Sequence, residues 1–102
     1  MNIQAHVIIS GDVTGVGYRS WVVRNARELG LTGWVRNITE KVVYPDPAVG
    51  GRRVEAVFEG SKEKVEEIIA RCRKGPEVAW VEKMEVKYGK ATDEFLGFEI
   101  RY

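Results

Sequence analysis

Ile3, Ala5, Val7 and Ile9 alternate with Asn2, Gln4 and His6, the two-residue period of a strand buried on one face. After a stretch with two glycines, Val22, Val23, Ala26 and Leu29 recur at helical spacing, with Ser20 as a candidate N-cap and Gly30 where a helix C-terminus is followed by glycine. A second strand is predicted over TGWVRNI (32–38), and Val42 to Tyr44 extend the apolar pattern. PDPAVGG (45–51) then forbids regular pairing with its prolines and glycines, so it reads as the exposed tip of a long hairpin. Val54, Ala56 and Phe58 resume the alternation against Arg53, Glu55 and Glu59. Ser61 caps a second helix whose stripe is Val65, Ile68, Ile69 and Cys72, with Lys62, Glu63, Glu66 and Glu67 in water and KGP (74–76) as its stop. Val78, Trp80, Met84, Val86 and Tyr88 are expected on one face of a further strand, with Lys83, Glu85 and Lys87 on the other. Leu96, Phe98, Ile100 and Tyr102 repeat the pattern as a short closing strand.

The order strand, helix, strand, strand, helix, strand predicts an α+β fold of the ferredoxin-like split βαβ type (βαββαβ), two helices on one face of an antiparallel sheet. At 102 residues the expectation is a single domain over 1–102. Sixteen Lys and Arg against fifteen Asp and Glu give a net charge of +1, so no global field recruits nucleic acid or anionic lipid. One cysteine (Cys72) and one histidine (His6) exclude an internal disulfide and a metal cluster of ordinary His and Cys spacing. MNIQAHVIIS has neither a leader pattern nor an apolar run of membrane length, and the chain reads as a cytoplasmic monomer without cofactor or metal.

Candidate chemistry concentrates in GDVTGVGYRSWV (11–22). Glycine reaches positive φ without steric cost, so Gly15 and Gly17 would let successive N–H groups turn inward as an anion nest, and the helix start adds free amides and the positive end of its dipole. Arg19 sits where the loop meets the first helical turn, and its planar fork suits two oxygens of one phosphoryl group. A plain strand-to-helix turn with a solvated arginine fits the stretch equally well. There is no GK[ST] ending, and Ser20 replaces the third glycine of a dinucleotide fingerprint, which excludes both of those phosphate loops.

GDVTGVGYRSWVVRNARELGLTGWVRN resembles the first half of the acylphosphatase family, whose pattern joins GVGFR or GVGYR to a helix and GWVRN; EGSKEKVEEIIARCRKGPEVAWVEKMEV and FLGFEIRY resemble the second half. The resemblance implies that Arg19 binds phosphate, that the amides of Thr14, Gly15, Val16, Gly17, Tyr18 and Arg19 cradle it, and that Asn37 positions the attacking water. It implies a small acyl phosphate as substrate, and inorganic phosphate as product and competitive inhibitor. The lone His6 lies on the polar face of the first strand, away from the loop, so no general acid is evident. An acyl phosphate needs none, because its leaving carboxylate has a conjugate-acid pKa of roughly 4. The alternative is a non-catalytic module that binds phosphate or carbamoyl phosphate, as acylphosphatase-like domains do inside larger maturation proteins. An RNA-binding module of the same plan would need exposed aromatics and a basic face, whereas the aromatics here are expected toward the core.

Position 14 is Thr where the family usually has Gln, Asp12 is expected to face solvent, and ITEKVVYPDPAVGGRR replaces a short turn; Arg52 and Arg53 could help attract anions. Trp34 is assigned to the core, Trp21 to either core or site, and His6 and Cys72 to structure.

Overall fold

In a computed structural model that describes residues 2–13, 17–38, 53–77 and 79–101, the N-terminal alternation becomes β1 (Asn2–Asp12). Then follow α1 (Tyr18–Glu28), β2 (Thr32–Ile38), β3 (Arg53–Ser61), α2 (Lys62–Lys74), β4 (Trp80–Lys90) and β5 (Phe98–Ile100). The five strands form one sheet in the order β4-β1-β3-β2-β5. The register sets Ala5 opposite Phe58, Val7 opposite Ala56 and Ile9 opposite Val54, and on the other side of β3 sets Val35 opposite Ala56. This apolar row is buried with Val22, Val23 and Ala26 of α1 and Val65, Ile68, Ile69 and Cys72 of α2, so both helices cover the same face. Burying each valine, isoleucine or phenylalanine of this row contributes about 1.5–3 kcal/mol.

Helix ends follow the residues available. Gly30, at φ 68°, closes α1: its N–H bonds to Arg27 O at 3.0 Å and that of Leu31 to Ala26 O at 2.9 Å, the paired bonds of a Schellman ending. Ser61 caps α2 by accepting from the Lys64 N–H at 3.4 Å, and Gly75 terminates it.

Four sequence expectations need correction. Ser20 does not cap α1, because the helix starts two residues earlier and its cap is Gly17. The sheet is mixed: β5 runs parallel to β2, with Trp34 opposite Glu99 and Val35 opposite Ile100, and Leu96 lies before it, fully exposed. Trp34 is outside the core, on the helix-free face, with the guanidinium groups of Arg36 and Arg101 at 5.6 and 5.1 Å from its ring. Trp80, finally, does not share a face with Met84, Val86 and Tyr88. A bulge shifts the β1–β4 register between Ser10, opposite Lys83, and Gly11, opposite Val81, so Glu82 has no partner and the alternation inverts. Trp80 is 68% and Tyr88 59% exposed. Gly11 allows the close approach: it sits at φ 138°, and a Cβ there would lie 2.2 Å from the Trp80 carbonyl oxygen. The predicted segments at 42–44 and 45–51, Val78 and Tyr102 lie outside the described residues.

At the opposite end of β3, Glu59 is 3% exposed and its carboxylate accepts four hydrogen bonds: from Gln4 Nε2 (2.7 Å), Thr92 N (2.8 Å), Thr92 Oγ1 (3.0 Å) and Asp93 N (3.0 Å). They fasten the segment after β4 to the middle of the sheet. Burial alone would raise the Glu59 pKa, but the donors outweigh it and hold it below the ordinary carboxylate value. Its contribution is therefore present above the unfolded-state pKa and lost as pH falls through the depressed folded one. Glu59→Gln is expected to lower unfolding free energy at neutral pH by about 1–3 kcal/mol. In urea titrations the gap to the parent should close as the pH is brought below the carboxylate range.

Candidate active site

β1 and β2 both run antiparallel to β3, so the end of β1, the end of β2 and the start of β3 meet at one end of the sheet. The chain leaving β1 must turn there onto the helix-covered face. Gly17 makes the last step in the left-handed region (φ 78°, ψ 15°), and α1 begins at the next residue. No side chain among the described residues caps that helix start, and its first intrahelical bond is from the Trp21 N–H to Gly17 O at 3.0 Å. The amides of Tyr18, Arg19 and Ser20 precede that bond, in the first turn, where a helix offers no intrahelical acceptor to its N–H groups. Arg19 stands half-buried in this first turn. Thr14, Gly15 and Val16, expected to complete the cradle, and the side chain of Asp12 lie outside the described residues.

Tyr18 fixes the junction. Its ring is buried, stacks on Trp21 with centroids 5.6 Å apart, and its hydroxyl donates to the Cys72 carbonyl at 2.8 Å in the last turn of α2. Burial, reinforced by the nearby Cys72, raises the phenol pKa well above its usual range, so the hydroxyl stays a donor. Burial likewise pushes the Cys72 thiol up to about 12, which leaves it no nucleophilic character at neutral pH. The sequence assigned Cys72 to structure, and its packing agrees; the Tyr18 bond had no local signal because it spans 54 residues.

Asn37 lies near the end of β2, opposite Val54, which in turn opposes Ile9. It therefore shares the helix-covered face with those core residues. Its Oδ1 is buried and has no hydrogen-bond partner among the described residues. Arg53 begins β3 opposite Ser10 and Ile38, one step along from Asn37 and on the other face, and its Nε is likewise buried without a partner among the described residues. Arg52 is outside them.

His6 is engaged elsewhere. On the helix-free face its Nε2 lies 2.6 Å from Glu55 Oε2, while Arg36 Nε donates to Glu55 Oε1 at 2.6 Å. Burial opposes ionisation of Glu55, but the bonds from His6 and Arg36 prevail and lower its pKa. This cross-strand cluster joins β1, β3 and β2 and sits away from the Gly17 to Arg19 corner.

The acylphosphatase family model matches residues 5–100. An acylphosphatase of Caldivirga maquilingensis is 40% identical over 98% of this chain and 95% of its own length. The crystal structure of acylphosphatase from Bacillus subtilis superposes with a TM-score of 0.81 at 27% identity, covering 98% of this chain and 99% of that one. Full-length HypF in its phosphate- and nucleotide-bound form matches with a TM-score of 0.76 at 26% identity, over 98% of this chain and 12% of that one. With the glycine-entered helix, its first-turn arginine and the strand-end asparagine at one end of the sheet, these likenesses establish that the chain belongs to the acylphosphatase family.

Proposed function

We propose that this chain hydrolyses the carboxyl–phosphate bond of small acyl phosphates, releasing a carboxylate and inorganic phosphate, with Arg19 and Asn37 as its catalytic residues. One chain of one domain is the proposed catalytic unit, acting in the cytoplasm. The observation that supports the assignment of residues is a buried carbonyl oxygen without a donor among the described residues, Asn37 Oδ1, at the end of the sheet where α1 begins at a left-handed glycine and carries an arginine in its first turn.

In this reading the amides of Thr14, Gly15, Val16, Gly17, Tyr18 and Arg19, with the Arg19 guanidinium, hold the phosphoryl oxygens and neutralise charge as it spreads over them. Phosphoryl transfer leaves the protein little covalent work, so holding the group and the nucleophile in line supplies nearly all the catalysis. Asn37 Oδ1 accepts one hydrogen of a water and so aims its lone pair at phosphorus. The second proton passes to a phosphoryl oxygen, and the carboxylate departs without protonation because its conjugate acid is strong. Inorganic phosphate, having the same oxygens, competes for the cradle.

A binding module without turnover would retain phosphate and release nothing. With benzoyl phosphate as substrate, Asn37→Ala is expected to lower kcat by on the order of 10² to 10³ while phosphate still raises the Tm, and Arg19→Ala to lose at least as much together with phosphate inhibition. Equal slow cleavage by parent and Arg19→Ala would leave the binding module as the better account. Gly17→Ala tests the cradle's backbone: a Cβ at Gly17 meets nothing within 4 Å. Its cost is therefore the left-handed conformation alone, about 1–2 kcal/mol of stability, and the phosphate inhibition constant should rise with it.

A further inference from the structure

β4 is an outer strand of the sheet: one side pairs with β1, and nothing among the described residues pairs with the other. Such an edge presents a row of open N–H and C=O groups. Here it also presents a particular order of side chains. Met84 and Val86, half-buried, and Tyr88, 59% exposed, lie on the helix-covered face, while Lys83, Glu85 and Lys87 stand exposed on the other. We propose that β4 pairs antiparallel with β4 of a second copy of this chain about a two-fold axis beside Val86, joining two five-stranded sheets into one of ten strands.

The register follows from geometry and charge. A two-fold axis perpendicular to the sheet keeps like faces together only if it passes beside a residue, because directly opposed residues of antiparallel strands share a face. An axis at Glu85 would oppose Glu85 to itself and Lys83 to Lys87; one at Lys87 would oppose Lys87 to itself. An axis at Met84 runs the ladder into the bulge at Glu82, where the faces invert. With the axis at Val86, each Glu85 meets Lys87 of the other copy, Met84 meets the exposed Tyr88, Val86 meets itself and Lys83 meets Gly89. All three apolar pairs then fall on one face and both ion pairs on the other, all within the regular part of the strand. Lysines on an edge usually discourage pairing, but this strand interleaves a glutamate at the spacing that answers them. The existing Lys83–Glu85 contact (3.1 Å) is between side chains 64% and 61% exposed and offers little resistance to Glu85 being shared.

A single ladder of this length is smaller than a standard interface, so the association is weak, with a dissociation constant on the order of 10⁻⁴ M. The monomer expected from the sequence is its dilute form. The seam runs along the outer edge and uses none of the residues proposed for hydrolysis.

Sedimentation equilibrium on the intact chain tests this, with Glu85→Lys, Lys87→Glu and the double swap E85K/K87E as variants. Both substitutions fall on exposed positions, and unchanged circular dichroism and benzoyl phosphate hydrolysis verify that each variant is folded. Either single variant sets like charges opposite each other twice and should weaken association about tenfold. The double swap should restore it, and mixing the two single variants should give a heterodimer tighter than either alone. A parent that stays monomeric up to about 1 mM, single variants that associate like the parent, or a double swap that fails to restore association would overturn the proposal.

Discussion

The burial of Tyr18 is the constraint on which the site depends. A helix start is ordinarily the frayed end of the element, and α1 has no side-chain cap among the described residues to hold it. Its first residue instead drives a full aromatic ring into the core and bonds the last turn of α2 through its hydroxyl. With Tyr18 pointing inward, the chain arriving from β1 reverses through a left-handed residue, which glycine supplies at position 17. Successive residues are turned by about 100° around a helix, so Arg19 leaves the core-facing stripe as a consequence of where Tyr18 goes. The anion-binding reading of the corner is thus underwritten by an apolar contact and one hydrogen bond between the two helices.

Periodicity carried most of the fold because all but one of the strands have one face against the helices and show it as alternation. It misjudged what a period cannot encode. The inversion at Glu82 comes from one extra residue on β4, and an alternation read straight through it places Trp80 with Met84. The parallel direction of β5 and the placement of Arg101 over the Trp34 ring are long-range choices with no local signature. Of the candidate site, Gly17 and Arg19 were legible from stereochemistry: a glycine where φ must be positive, an arginine at a helix start. Asn37 was legible only through the family pattern, since an asparagine late in a strand by itself reads as a turn former. The Glu59 clasp and the Tyr18 tie escaped notice because their partners are distant in sequence.

The two faces of the sheet divide the polar groups by purpose. On the helix-free face His6 and Arg36 converge on Glu55, and Arg36 and Arg101 flank Trp34. That engagement draws the one histidine into a structural cluster. A chemistry that expels a carboxylate tolerates its absence from the corner, whereas an ordinary phosphomonoester, with a poor leaving group, would not.

Two buried acceptors sharpen the contrast. Glu59 is charged, enclosed and met by four donors; Asn37 Oδ1 is enclosed and met by none among the described residues. An unsatisfied buried carbonyl costs about 1–3 kcal/mol, and a leucine or valine at position 37 would continue the apolar row of Ile9 and Val54 without that cost. Retaining an amide there is intelligible if its donor arrives from outside the fold. Asn37, at the end of β2, is on the same side of the sheet as the first turn of α1, so a water accepted there under the proposed hydrolysis would share a face with Arg19.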